Sequence, residues 1–496
     1  MAAVRTLPER DALPAPEEYG YYLGEPVRPE TGQPLYSPYD QALRVIGSMG
    51  SGKTFRFLAR VARRAPGPLI LSSTKPDVVE LTYGARVLRG PVVSLDPQEI
   101  CPGLEPLRWS PIHGSEDTER ASVLAAAFVA GGKSSTGAKV SDEASSFYKG
   151  QAARVLECLL HAAALDGASL RDVLRWSDRF SDPAPRMILD RHPGAGPGWA
   201  DAFVKATTGD DRKVTNTLST LAEALGCFRH DAVVKAIDVS GDRATPIEQL
   251  LDANGTIYLL GKDNPYLSIA PLVTAMQEDL LDRAEALANT KQYRRLDPPL
   301  LVGLDEAANT PLPTLRQRVS DGRGRGLSVM YIVQGWASAE ARFGRDAAKE
   351  LASFTNNTLV FGGVGDEDFL AGLEKRCGQV RVFRTSASSG SGRGSGPSQN
   401  VQEDWQPVLR AHEIGGLDIK LGEALLLSND LGPIITRLPK LSEDEDWPQI
   451  AREVEQVRAM ADAARARAAA DKRRFMAENA AAWAATKEAA AGADDE

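Results

Sequence analysis

Residues Gly47-Ser48-Met49-Gly50-Ser51-Gly52-Lys53-Thr54 satisfy the pattern G-x-x-x-x-G-K-[ST] without deviation. The glycines let successive backbone N–H groups face inward around phosphate oxygens, and the chain leaves such a loop as a helix whose positive end completes the cradle. Lys53 is then placed to reach the β- and γ-phosphates, and the Thr54 hydroxyl to bind Mg²⁺. A loop of this kind joins a strand to a helix, and the flanks agree. Leu43 leads into a strand-like triplet, Arg44-Val45-Ile46, and Thr54–Arg64 reads as the helix. Further strands are predicted at Leu69–Ser73, after the turn Pro66-Gly67-Pro68, and at Val92–Leu95, after Arg89-Gly90-Pro91. This alternation predicts an α/β fold with a mostly parallel sheet covered by helices.

The pattern changes near residue 115. From Glu116 to about Asp238 it is mostly helical, as in Ala144–Leu165, where Ala152, Val155, Leu156, Leu159 and Leu160 recur at helical spacing. After Pro246 strands resume at Thr256–Leu260, Leu300–Leu304, Leu327–Val333, Thr358–Phe361, Leu425–Ser428 and Ile434–Arg437, with helices such as Ser268–Ala288 between them. The 496 residues allow about three domain equivalents. One P-loop NTPase domain interrupted by an all-helical insertion accounts for the pattern with fewer assumptions than three separate domains. The expected division is an extended lead-in over 1–40, NTPase domain over 41–114 and 246–440, helical insertion over 115–245, and an acidic Ala-rich helical tail over 441–496. The lead-in, rich in Pro, Tyr and Glu without period, is expected to pack locally or not at all. A Gly/Ser run at 386–398 joins Val380–Arg384 to a return strand near Val401, and 449–490 reads as one long helix or a broken pair.

Charge and composition narrow the function. Of 58 basic and 67 acidic side chains, residues 1–40 hold 3 and 7 and residues 441–496 hold 8 and 13, which leaves 47 of each sign in 41–440. A neutral core excludes a protein that coats DNA by bulk charge, but not a ring with a basic channel. Four cysteines without C-x-x-C spacing fit a reducing cytosol, and five histidines without a paired ligand motif give no support to a zinc site. The longest apolar runs, such as Pro299–Leu304 and Ala424–Leu427, fall far short of the ~18 residues of a membrane-spanning helix. The start lacks the apolar stretch of a secretory signal.

A P-loop needs two further carboxylate functions to hydrolyse a triphosphate: one that holds Mg²⁺ through water and one that positions the attacking water. Leu300-Leu301-Val302-Gly303-Leu304-Asp305-Glu306 offers both at the end of an apolar strand, with Asp305 towards the metal and Glu306 towards the water. Farther on, Asp321-Gly322-Arg323-Gly324-Arg325-Gly326-Leu327 is expected to hold an arginine on a glycine-rich turn from which it can reach a neighbour's γ-phosphate. Sequence does not choose between Arg323 and Arg325, and a solvated basic turn is the plain alternative. Gln334, at the end of the next strand, is placed to sense that phosphate, or else is an ordinary strand-end glutamine. Arg393 in the Gly/Ser run and Lys133, Lys139 and Lys149 near the start of the insertion are weaker candidates for DNA contact.

Taken in order, the P-loop, the apolar-DE strand, the G-R-x-x-G-L turn and Ile332-Val333-Gln334, with a helical insertion between the first two, resemble the type IV secretion coupling proteins of the TraG/TraD kind, RecA-like DNA translocases of bacterial conjugation. The resemblance spans about residues 41–440 and includes Asn254–Leu260, Asn356–Gly363 and Glu423–Leu427. It implies that Lys53 and Thr54 bind ATP and Mg²⁺, that Asp305 and Glu306 are the hydrolytic carboxylates, that Arg323 is a finger acting in trans and that Gln334 couples. It further implies a homo-hexameric ring threading DNA, relaxase or relaxosome proteins as cargo chosen by the helical insertion, and a secretion channel as destination. Family members usually begin with a pair of transmembrane helices, which this sequence lacks. Anchoring is therefore expected from a separate subunit, if at all, with the chain cytoplasmic at the inner face of the membrane. Ser73-Thr74-Lys75-Pro76-Asp77 stands where many members have Asp-Pro-Lys-Gly, and Gln334-Gly335 where a glutamine-serine pair is usual. Two other readings remain open: a related ring ATPase in chromosome segregation or defence, and a non-enzymatic adaptor gated by nucleotide.

Overall fold

Short apolar strands that are buried on both faces must be covered by helices on both faces. The computed structural model has this arrangement. It describes residues 15–30, 32–132, 142–239, 241–262, 268–310, 312–388 and 398–493. In chain order the strands are β1 (Gly20–Arg28), β2 (Leu35–Pro38), β3 (Leu43–Ile46), β4 (Leu69–Ser73), β5 (Val92–Leu95), β6 (Glu105–Pro106), β7 (Thr256–Leu260), β8 (Leu300–Leu304), β9 (Leu327–Val333), β10 (Asn357–Phe361), β11 (Gln379–Ser388), β12 (Ser398–Pro407), β13 (Glu423–Ser428) and β14 (Ile434–Arg437). Twelve of them form one sheet in the order β2-β1-β14-β13-β10-β3-β9-β8-β4-β7-β5-β6, and β11 and β12 form a separate hairpin. From β10 to β6 every neighbouring pair is parallel, while β13, β14, β1 and β2 extend the sheet antiparallel.

Successive residues of a strand point to opposite faces, and the two cores divide accordingly. Leu43 and Val45 of β3, Leu301 of β8 and Ile332 of β9 join one core, packed with Phe57, Leu58 and Val61 of the helix after the P-loop. Ile46, Val302, Leu304 and Val333 join the other, which continues into Leu124, Phe128, Val155 and Leu159 of the helical region. Between residues 107 and 255 the described residues hold helices and no strand, including Thr118–Gly131, Asp142–Asp166 and Asp211–Ala224. These helices share a continuous core with the sheet through Ala270–Thr290.

Two segments differ from their sequence reading. Residues 20–38 are not a loose lead-in: β1 pairs with β14 and lengthens the sheet, with Tyr21 and Leu23 buried. A bulge at Gly24, where φ is +100° and a Cβ would come within 2.4 Å of Thr436, breaks the alternation that would have revealed the strand. The stretch Asp321–Arg325 is not a turn but the last turns of the helix Leu315–Arg325, which stops at Gly326 in the left-handed region. Arg318 on the same helix is buried against Glu278, Asp282 and Glu285, and this anchorage outweighs the low helix propensity of Gly322 and Gly324. The tail forms one helix, Trp447–Ala493, whose first turns bury Ile450, Val454 and Val457. Lys133, Lys139 and Arg393 lie outside the described residues, and Lys149 is half-buried on the helix Asp142–Asp166. No helix among the described residues is long and apolar enough to cross a membrane.

The helical region is tied to the sheet by a buried carboxylate. Asp279 accepts hydrogen bonds from Trp109 Nε1 (2.6 Å), Arg120 Nε (2.7 Å) and Arg283 Nε (3.1 Å). Burial alone would raise the Asp279 carboxyl, but Arg120 and Arg283 outweigh it and hold it below the usual carboxylate range. Asp279→Ala, which leaves both guanidinium groups without their acceptor, is expected to lower stability by about 3–5 kcal/mol, read from the urea midpoint. The gap to the wild type should be full above about pH 4 and shrink as pH falls through the lowered value, because there the wild-type carboxylate also loses its charge. An unchanged midpoint contradicts this role.

Candidate nucleotide site

Register brings distant motifs together. Ile46 of β3 lies beside Val333 of β9, and Leu304 of β8 beside Tyr331, so the residues that follow these strands emerge at one edge of the sheet. The edge is the carboxyl end of the parallel strands, where ligands of open α/β sheets bind. Gly47 donates its amide to the Val333 carbonyl (3.3 Å), Ala307 to that of Ile332 (3.0 Å) and Asp305 to that of Ser72 (3.1 Å), which fixes the P-loop and the acidic pair to the same strands.

The P-loop turns through Gly50 at φ +78° and Gly52 at φ +86°, and Gly52 directly precedes the first helical residue, Lys53. At Gly47 a Cβ would come within 2.7 Å of Ser51 Oγ and 3.0 Å of Phe361. Lys53–Leu58 winds as a π-helix, with the Ala59 amide bonded to the Thr54 carbonyl, before Ala59–Arg64 continues as an α-helix. Such wide turns occur often at functional sites. Lys53 donates Nζ hydrogen bonds to the carbonyls of Gly47 (2.5 Å) and Ser48 (2.8 Å). Burial pulls its ammonium below the ordinary lysine value, and the charges of Asp305 and Glu306 oppose that shift.

Asp305 is 8% exposed and receives Ser73 Oγ at 3.0 Å. Burial pushes its carboxyl up to about 6, with Glu306 and Asp77 adding to the rise while the Ser73 hydroxyl and Lys53 oppose it. Glu306 follows at φ +71°, a conformation a side chain of this size adopts at a cost of order 1–3 kcal/mol. Its carboxylate is held from both sides: Gln334 Nε2 donates to Oε1 at 2.8 Å and Asn309 Nδ2 to Oε2 at 2.5 Å, with Thr74 Oγ1 at 3.5 Å. Ser48, Met49, Glu306, Asn309, Gln334 and Ser338 line a cleft of about 450 Å³ beside the loop.

The arginines lie elsewhere. Both precede β9 whereas Gln334 follows it, so a seven-residue strand of roughly 23 Å separates them from the P-loop edge. Arg323 pairs with Asp40 at 3.1 Å and Arg325 with Glu285. The structure thus brings together Lys53, Asp305, Glu306 and Gln334, and does not bring Arg323 or Arg325 to them within one chain. Sequence reasoning left Ser73 and Thr74 without a role and passed over Asn309. The signal for the first two is their position at the carboxyl end of β4, the strand next to β8; for Asn309 it is the spacing of three residues from Glu306.

A magnesium triphosphate suits this donor set. Lys53 offers positive charge to phosphate, Asp305 and the Thr54 hydroxyl are the hard oxygen donors magnesium prefers, and Ser51 Oγ is buried without a partner among the described residues. Among those residues no group of three or more His, Cys, Asp or Glu gathers as a metal cluster.

Comparison with known proteins agrees on the architecture. A family model described as the TraM recognition site of TraD and TraG matches residues 299–418. Among solved structures, the bacterial conjugative coupling protein TrwBdeltaN70 in an unbound monoclinic form has a TM-score of 0.59 at 17% identity, over 81% of this chain and 86% of that one. TrwB with the non-hydrolysable ATP analogue ADPNP scores 0.57 at 16% identity (81% and 86% covered). TrwB with ADP and Mg²⁺ scores 0.56 at 16% identity (82% and 87% covered). The fold is that of a RecA-like P-loop NTPase, and the family match and the fold likeness support the TraG/TraD-type resemblance. No curated protein sequence matches the chain.

A buried carboxylate at such an elevated value opposes folding once it ionises. Asp305→Asn is expected to stabilise the nucleotide-free protein near neutral pH by about 2–3 kcal/mol, measured as a raised thermal midpoint. The gap between variant and wild type should be largest above about pH 6, shrink as pH falls towards about 4 and close below it, where the wild-type group becomes neutral in both states. A variant that melts with or below the wild type at neutral pH refutes the burial argument.

Proposed function

We propose that the chain is an ATP-driven DNA translocase that serves as a coupling protein in a conjugative type IV secretion system. The observation that carries the reading is the meeting of Lys53, Asp305, Glu306 and Gln334 at one sheet edge. In this reading Gly47–Lys53 cradle the phosphates through backbone amides, Lys53 draws charge from the β- and γ-phosphates, and Thr54 and Asp305 hold magnesium. Bound Mg²⁺ neutralises charge that develops on the phosphate oxygens. Glu306 orients the attacking water and takes up its proton, and Gln334 ties Glu306 to the strand next to the P-loop, so that hydrolysis is felt along β9. Arg323, across the sheet from its own P-loop, acts on a neighbouring copy, which makes the working unit a ring, in our reading a homo-hexamer.

TrwB, similar in fold, is a plasmid coupling protein observed with nucleotide and with Mg²⁺, and the matched family region is named for TraM recognition. Both support DNA and relaxosome proteins as partners, with the helical insertion over 115–245 facing the cargo and a separate subunit joining the ring to the membrane and the secretion channel.

Phosphate release from ATP, measured with and without single- and double-stranded DNA, tests the reading. Wild-type turnover should rise with DNA. Lys53→Ala should abolish nucleotide binding, and Glu306→Gln should bind ATP while losing about 10²–10⁴-fold in turnover. Turnover indifferent to every DNA form would remove DNA from the reading, and a Glu306→Gln chain as fast as wild type would remove the assigned base.

A further inference from the structure

We infer that Asn309 is the positioning residue that keeps Glu306 aimed at its water, an inference that rests on the hydrolytic reading above. A carboxylate can orient and deprotonate a water only if one oxygen is held in a defined direction. Glu306 is secured at both oxygens, but the two holds differ in kind. Gln334 reaches Oε1 from the end of β9, so the bond joins two separate strands and can change as that strand responds to the phosphates. Asn309 belongs to the same turn as Glu306. Its backbone amide bonds the Glu306 carbonyl at 2.9 Å and its side-chain Nδ2 bonds Oε2 at 2.5 Å, so the clamp moves with the residue it holds. Thr74 Oγ1 stands 3.5 Å from the same oxygen, too far to replace it.

The surroundings of Glu306 call for such a clamp. Its side chain is only half-buried, and beside it lies the open cleft of about 450 Å³ that Asn309 also lines. An amide serves where a charged group would not. It donates to the carboxylate without withdrawing Glu306 into an ion pair, and the isosteric Asn309→Asp would set a second negative oxygen where the donor now sits.

Three measurements on the full chain test the inference. Asn309→Ala should lower kcat by about 10–100-fold while the affinity for Mg-ATP, followed with a fluorescent ATP analogue, stays within about twofold of wild type. Asn309→Asp should lower kcat at least as far, and it decides the matter should the alanine variant fail to fold. A crystal structure of either variant should show the Glu306 carboxylate turned away from its wild-type direction with Lys53 unmoved. A kcat equal to that of the wild type in both variants, or an unmoved Glu306, overturns the inference alone. A wild-type chain that binds ATP yet turns none over with any DNA overturns the hydrolytic reading and this inference with it.

Discussion

The alignment of β3, β9 and β8 is the constraint on which the rest depends. With Ile46 beside Val333 and Leu304 beside Tyr331, three loops leave the sheet at one edge, and the residues that follow the strands have nowhere else to go. A slip of one residue in either pair would send alternate side chains to the opposite face and carry Glu306 or Gln334 away from the cleft. Such a slip is opposed by both cores at once, because each strand is buried on its two sides. The precision of the site is thus held by the hydrophobic packing of strands that take no part in its chemistry.

That packing forces charges into a confined space. Asp305 is nearly buried and shares the edge with Glu306 and Asp77, with Lys53 as the opposing charge. The arrangement is poor for stability and suited to a site that receives a polyanion with a dication, since the dication offsets the carboxylates and the polyanion offsets Lys53. The same logic explains the ring of neutral donors: Ser73, Thr74, Asn309 and Gln334 orient the carboxylates without cancelling them.

Much of this was legible in the sequence. Gly47–Thr54 and the apolar run ending in Asp305-Glu306 carry strong local signals, and the strands of the parallel sheet stand out as continuous apolar segments between turns. What escaped has physical causes. The β1 strand is interrupted by a glycine bulge, so its period is broken. The glycines around Arg323 look like a turn, yet the helix survives there because Arg318 is fastened by three carboxylates contributed by another helix. Thr74 acquires meaning only through the place of β4 beside β8, a tertiary fact with no local signature, and Asn309 is marked by nothing more than its spacing of three residues from Glu306.

The central claim is that one pocket holds the triphosphate, its metal and the hydrolytic carboxylate together. A crystal structure of the chain with Mg²⁺ and a non-hydrolysable ATP analogue tests it most directly. The account predicts the phosphates inside the loop 47–54, the metal between the Thr54 hydroxyl and the β- and γ-phosphates with Asp305 facing it, and a water held by Glu306 in line with the γ-phosphate. Nucleotide bound away from that loop, or phosphates in place with Glu306 pointing out of the cleft and no water before it, would contradict the account.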